Sequence, residues 1–172
     1  FFERKEVKDV LSFIRAALNR QSLSDIQRII NIPPRGIGKV TIAKIFSGML
    51  DQLSLTHAEK WRVFNLILDD IQKKSATEKT SALIKLVIKR TGLEAQLKQS
   101  GTEEDLERLE NVRELATLAT KYDFLPPMDG VTKLLEDAAL ATDQDEMTED
   151  RPAVKLMTVH ASKGLEFEYV FI

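Results

Sequence analysis

In the stretch IINIPPRGIGKVTIAKI, residues 29–45, two glycines stand one residue apart behind two prolines and an arginine. Glycine tolerates positive φ and lets the backbone approach a ligand closely, and the first amides of a helix that follows have no partner within it. A helix, a tight Gly-Ile-Gly turn and a second helix make a helix-hairpin-helix-like element. Such an element offers main-chain N–H groups to a phosphate of a nucleic-acid backbone without reading the bases. Gly36, Ile37 and Gly38 would form the turn, and Arg35, Lys39 and Thr41 would add side-chain donors. The same spacing also suits a plain corner with Ile37 packed in the core, and by spacing alone both readings stay open.

Other chemistry finds little footing. The two histidines, His57 and His160, are far apart in the chain, and there are no cysteines. A disulfide frame and a thiolate zinc site are therefore excluded, and no metal-ligand cluster or nucleophile motif supports a free-standing metabolic enzyme. No G-x-x-x-x-G-K-[ST] run is present to cradle nucleotide phosphates.

The elements that must position the hairpin follow from composition and periodicity. The 43% hydrophobic and 30% charged residues are globular values, and an aromatic share of only 6% with few Gly and Pro points to a mainly α fold. The length of 172 residues fits one domain, or a small domain with pieces of a neighbour. Val7, Val10, Leu11, Ile14 and Leu18 fall at helical spacing from Glu3 to about Arg20. A second helix, capped by Ser22 or Ser24, must stop before Pro33. A third starts near Lys39, and Thr56 offers a cap to the helix after it. EKTSALIKLVIKRTGL reads as a helix stopped by Gly92, and TEEDLERLENVRELATLATKYD as one entered at Thr102. Pro126 and Pro127 precede a last helix.

Residues 143–151 are an acidic, nearly non-apolar run expected to be a linker. Beyond them AVKLMTV and EFEYVFI are β-branched and apolar, as strands of a buried sheet would be. Two strands cannot form such a sheet alone, so residues 152–172 are expected to belong to a different unit. With no initiator Met, the chain is expected to be a piece of a longer protein. The absence of a membrane-length apolar run and of a signal-peptide pattern fits a cytoplasmic protein with no membrane partner.

The formal net charge of −2 conceals an asymmetry. Residues 1–48 carry nine Lys/Arg against four Asp/Glu, and the remainder 16 against 23. The first part suits a nucleic acid, and the second allows an alternative function, a protein-interaction module docking a repair or replication partner through an acidic helical surface.

Three segments in order, FFERKEVKDVLSFIRAALN, RIINIPPRGIGKVTIAKI and VKLMTVHASKGLEFEYVFI, resemble the superfamily 1 DNA helicases of the UvrD, Rep and PcrA family. The likeness spans essentially the whole chain. The third segment is the most specific, since Thr158, His160, Lys163, Gly164, Leu165, Glu166 and Phe167 reproduce the family's motif V, with Ala161-Ser162 where many members have Ser-Ala. The first segment matches the end of motif IV, and the second the Gly-Ile-Gly hairpin of the accessory 2B subdomain.

The resemblance implies an ATP-dependent 3′ to 5′ helicase as the parent, in which 2B is a helical insertion in the RecA-like domain 2A. Residues 1–30 and 152–172 would then be edges of 2A, the latter supplying the short β segments, and residues 31–142 would be 2B, contacting duplex DNA and regulating unwinding. By position, Arg4 looks like the arginine that reaches the γ-phosphate of ATP, and Gly164 and Glu166 like residues beside the nucleotide. Thr158 and His160 look like contacts to single-stranded DNA. ATP and Mg2+ would serve the parent, whose domains 1A, 1B and 2A are the other partners. The chain alone, without Walker A or Walker B segments, is expected to hold no cofactor or metal and to hydrolyse no ATP.

Overall fold

The structure, a computed structural model, describes residues 1–141. The expected linker at 143–151, the expected β segments at 152–172 and the motif V residues Thr158, His160, Gly164 and Glu166 lie outside the described residues. Within them the chain is mainly α, as expected, with eight α-helices.

Helix α1, Lys5–Leu18, is the centre of the assembly and packs against α2 (Leu23–Ile29), α4 (Leu55–Ser75), α5 (Thr80–Arg90) and α7 (Glu103–Leu118). Its helical stripe of Val7, Val10, Leu11 and Ile14 is buried, and so are Phe13, Ala16 and Ala17, because neighbours cover it on several sides. That crowding also encloses polar groups, which need partners. Asp9 accepts from Arg28 Nε at 2.7 Å and ties α1 to α2, while Glu6 accepts from Asn111 Nδ2 at 2.6 Å and ties α1 to α7. Burial raises the Asp9 carboxyl above its ordinary value even though the Arg28 charge opposes the shift. One apolar cluster runs from Val7 to Leu134, so α1 and α2 share their core with the helices beyond residue 31.

The expected stops and starts are mostly in place. Thr102 accepts from the Asp105 amide at 3.2 Å and caps α7, and Gly92 takes the left-handed conformation, φ 86°, at the end of α5. Helix α8, Pro127–Leu140, opens on Pro127 at its first position, where a missing N–H costs nothing.

Three details differ from the sequence reading. The cap of α4 is Ser54, not Thr56: its hydroxyl accepts from the His57 amide at 3.3 Å, and the helix starts one residue later, at Leu55. Ser22 precedes α2, but its hydroxyl donates to Asp25 Oδ2 at 2.6 Å instead of accepting from the backbone. Helix α6, Leu93–Ser100, fills a stretch the sequence reading leaves unassigned; Leu93 and Leu97, one turn apart, bury it against α5 and α7.

Helix α8 closes the bundle over α4, α5 and the tight turn Ala119–Tyr122. Its approach depends on Gly130, where an added Cβ would lie 2.4 Å from Thr80 Oγ1 and 2.9 Å from the Tyr122 carbonyl oxygen. The second of these is backbone and cannot step aside. No helix among the described residues is long and apolar enough to cross a membrane.

In an exposed helix Gly→Ala stabilises by about 1 kcal/mol. For Gly130→Ala the overlap reverses that sign, and we expect a net loss of about 1–3 kcal/mol, measured as a lower urea midpoint with helicity retained below it.

Candidate nucleic-acid interface

The segment expected to form the hairpin runs from the end of α2 to α3, Lys39–Phe46. Its backbone passes through a cis Ile32–Pro33 bond and a positive φ of 66° at Gly36. Gly38 does not use the positive φ open to glycine: it is extended, φ −72° and ψ 165°, and stands as the N-cap of α3. Only Gly36 uses the left-handed freedom of glycine. What Gly38 contributes is openness, since a Cβ there would meet no atom within 4 Å.

Two side chains shape this loop from inside. Asn31 Oδ1 accepts from the Arg35 amide at 3.3 Å and the Ile37 amide at 3.1 Å, and its Nδ2 donates to the Ile37 carbonyl at 2.6 Å. Asparagine commonly replaces a backbone partner in this way. Ile37, 1% exposed, anchors the turn in the apolar core. The corner and the exposed glycine backbone are therefore two faces of one turn.

Arg35 is the second internal support, and its place corrects the expectation of an outward phosphate donor. Its Nη1 donates to the carbonyls of Ile29, Ile30, Ile32 and Pro33, at 3.2, 3.4, 2.7 and 3.1 Å, and Nη2 donates to the Thr91 carbonyl at 3.2 Å. The guanidinium carbon also lies 5.7 Å from the centre of the Phe13 ring and 5.5 Å from that of Phe64. Burial lowers its pKa to about 10, still far enough above neutrality to keep the charge. The donors are committed to the fold, because carbonyls at a helix C-terminus attract a cation and have no partner within their own helix.

The outer face of the turn is main chain. The Ile42 amide closes the first turn of α3 onto the Gly38 carbonyl at 3.0 Å, and no side chain caps the helix. The amides of Lys39 and Val40 thus open α3 without an intrahelical acceptor. Lys39 is exposed and Val40 is 74% exposed, whereas Thr41 is buried, 7% exposed, contrary to its expected role as a donor. Lys60 of α4 reaches the same turn and donates from Nζ to the Gly36 carbonyl at 3.0 Å. The sequence reading does not include Asn31 or Lys60. Asn31 had a local signal, an asparagine leading into a Pro-Pro-x-Gly turn, but Lys60 is 24 residues from its contact and had none.

Arg4 lies away from the hairpin, just before α1. Its Nη1 donates to Asn111 Oδ1 at 2.6 Å, with Glu114 at 3.4 Å and the Phe1 ring centre 5.3 Å from its guanidinium carbon. The side chain is 48% exposed.

The sequence profile of the UvrD-like helicase C-terminal domain matches residues 1–172. The chain is 30% identical over 189 aligned positions to the ATP-dependent DNA helicase PcrA of Staphylococcus aureus. It is 31% identical over 189 positions to the protein of the same name from Staphylococcus epidermidis. Both alignments take in 100% of this chain and 26% of the relative, so the chain spans about a quarter of the length of these curated relatives.

The internal role of Arg35 has a measurable signature. Arg35→Lys keeps the charge but not the fork of donors, and we expect it to cost about 2–3 kcal/mol of stability. An unchanged urea midpoint would show that the guanidinium is not the support described here.

Proposed function

Because the chain belongs to the UvrD-like helicase C-terminal domain family, we propose that it is part of an ATP-dependent helicase that moves 3′ to 5′ on single-stranded DNA. In this reading the helices after residue 31 are the accessory 2B subdomain, standing on α1, and their hairpin holds duplex DNA and so regulates unwinding. The observation that carries the proposal is the open main-chain face of the turn at Gly36–Lys39, with α3 uncapped behind it.

Helix N-terminal amides carry partial positive charge and point along the helix axis, so a phosphate oxygen placed before Gly38 would accept from the Lys39 and Val40 N–H groups. Lys39 adds a full charge. Phosphates are the same at every base pair, so this grip suits a motor that must pass any sequence. Ile37 and Asn31 fix the turn before DNA arrives, which reduces the ordering lost on binding.

ATP with Mg2+ would supply the free energy for movement through phosphoryl transfer in the whole protein. Arg4 would stabilise charge at the γ-phosphate; its half-exposed guanidinium, held only by surface partners, is accessible for that role. Gly164 and Glu166 would stand beside the nucleotide, and Thr158 and His160 would hold the single strand's backbone. Domains 1A, 1B and 2A would be partners in the same protein, with repair or replication proteins as further ones.

The alternative, docking of a protein through the acidic surface, has less behind it. Those acids are interleaved with their own cations: Arg108 pairs with Glu104 and Asp105, Lys98 and Arg113 with Glu94, and Arg90 with Asp70. Glu103, Glu107 and Glu110 of α7 have no such cation among the described residues, so the pairing neutralises only part of that surface.

Two outcomes test the proposal. Fluorescence anisotropy with duplex DNA should show log affinity falling against log salt with a slope near −2 for about two phosphates. Gly38→Glu, which fits the backbone and the space at that position, should abolish binding, while Gly38→Ala should leave it nearly intact. Equal binding by both variants would remove the hairpin from the interface. In a phosphate-release assay the chain alone should show no ATP turnover above blank, and sustained hydrolysis would contradict the assignment of the phosphate-cradling and magnesium-holding Walker segments to the rest of the parent.

A further inference from the structure

We infer that Lys60, on α4, is the side-chain cation that meets a DNA phosphate beside the Gly36 turn, taking the place the sequence suggests for Arg35. The inference rests on the hairpin reading above and adds a residue to it. Three observations carry it.

First, Arg35 is excluded by geometry, since five carbonyls and two aromatic rings surround its guanidinium. Second, the Lys60 ammonium stands at the exposed turn: Nζ is 3.0 Å from the Gly36 carbonyl oxygen, and a Cβ on Gly36 would lie 2.8 Å from it. An ammonium has three donors, and the carbonyl uses one. Third, among the described residues neither Lys60 nor Lys39 pairs with an acid, while neighbouring Arg62 is held by Glu59 at 2.7 and 2.6 Å. Lys39 and Lys60 thus flank the turn with charges that no acid among the described residues compensates.

Gly36 and Gly38 are two residues apart, which limits their separation to about 7 Å. Lys39, on α3 itself, is therefore placed for a phosphate at the start of α3, and Lys60, reaching across from α4, for the neighbouring phosphate beside Gly36. The Gly36 carbonyl holds the ammonium near the place it is needed, so its long side chain has less freedom to lose on binding. Gly36 then has a second reason to lack a side chain: besides its positive φ, a Cβ would press on the ammonium it positions. The contact also joins the DNA-bearing turn to α4, which packs on α1, α5 and α8.

The test is the salt dependence of duplex binding by the full 172-residue chain. Lys60→Gln should lower affinity and shift the slope of log affinity against log salt from near −2 to about −1, because one phosphate contact is lost. Lys60→Arg should restore the slope, and circular dichroism should show all variants equally helical. Arg35→Lys should keep the slope despite its lower stability. A Lys60→Gln slope equal to that of the unaltered chain, with Gly38→Glu still abolishing binding, overturns the role of Lys60 and leaves the hairpin reading standing. Binding that survives Gly38→Glu, or no salt-dependent binding by the unaltered chain, overturns both.

Discussion

The charge on Arg35 is the constraint from which the geometry of the hairpin follows. Two helices, α2 and α5, bring their C-terminal ends toward one point, where their last carbonyls have no acceptor-to-donor match within the helix. One guanidinium answers both, through Ile29, Ile30, Ile32 and Pro33 on one side and Thr91 on the other. Phe13 of α1 and Phe64 of α4 enclose it, so the same group is in contact with four helices. Burying a charge is unfavourable unless its donors are met, and here the carbonyls stand in for water. The cation stays ionised at neutral pH because its lowered pKa, about 10, is still well above it.

This arrangement separates shaping from binding. Polar side chains at the loop, Asn31 and Arg35, turn inward and hold the main chain, and the main chain is what faces outward. A surface built from amides has no preference among bases, as the DNA contact proposed above requires. The cost falls on side-chain diversity: the exposed strip is glycine, and the residue between the glycines is a core isoleucine.

Features carried by short-range patterns were legible in the sequence. The stripe of α1, the Thr102 cap and the Gly92 stop each depend on residues within a turn or two of one another, and each is found where its pattern lies. Orientation was not legible. Nothing local distinguishes an arginine aimed at solvent from one aimed at a carbonyl 56 residues away, as Arg35 is at Thr91. Lys60 and the Glu6–Asn111 bond are equally remote in the chain, and α6 was hidden because Gly92 both ends one helix and enters the next. The motif V residues, which carry the most specific part of the family likeness, belong to a segment beyond the described helices.

The emptiness around Gly38 has a use beyond this fold. Its φ is ordinary for any amino acid and no neighbour would touch a Cβ, so folding exerts almost no selection on which residue stands there. At Gly36 the reverse holds, because backbone strain and a nearby ammonium act on every substitution at once. A saturation library at position 38, sorted for duplex-DNA binding, would therefore report what the proposed contact tolerates with the folding signal largely filtered out, and position 36 would supply the contrasting, confounded profile.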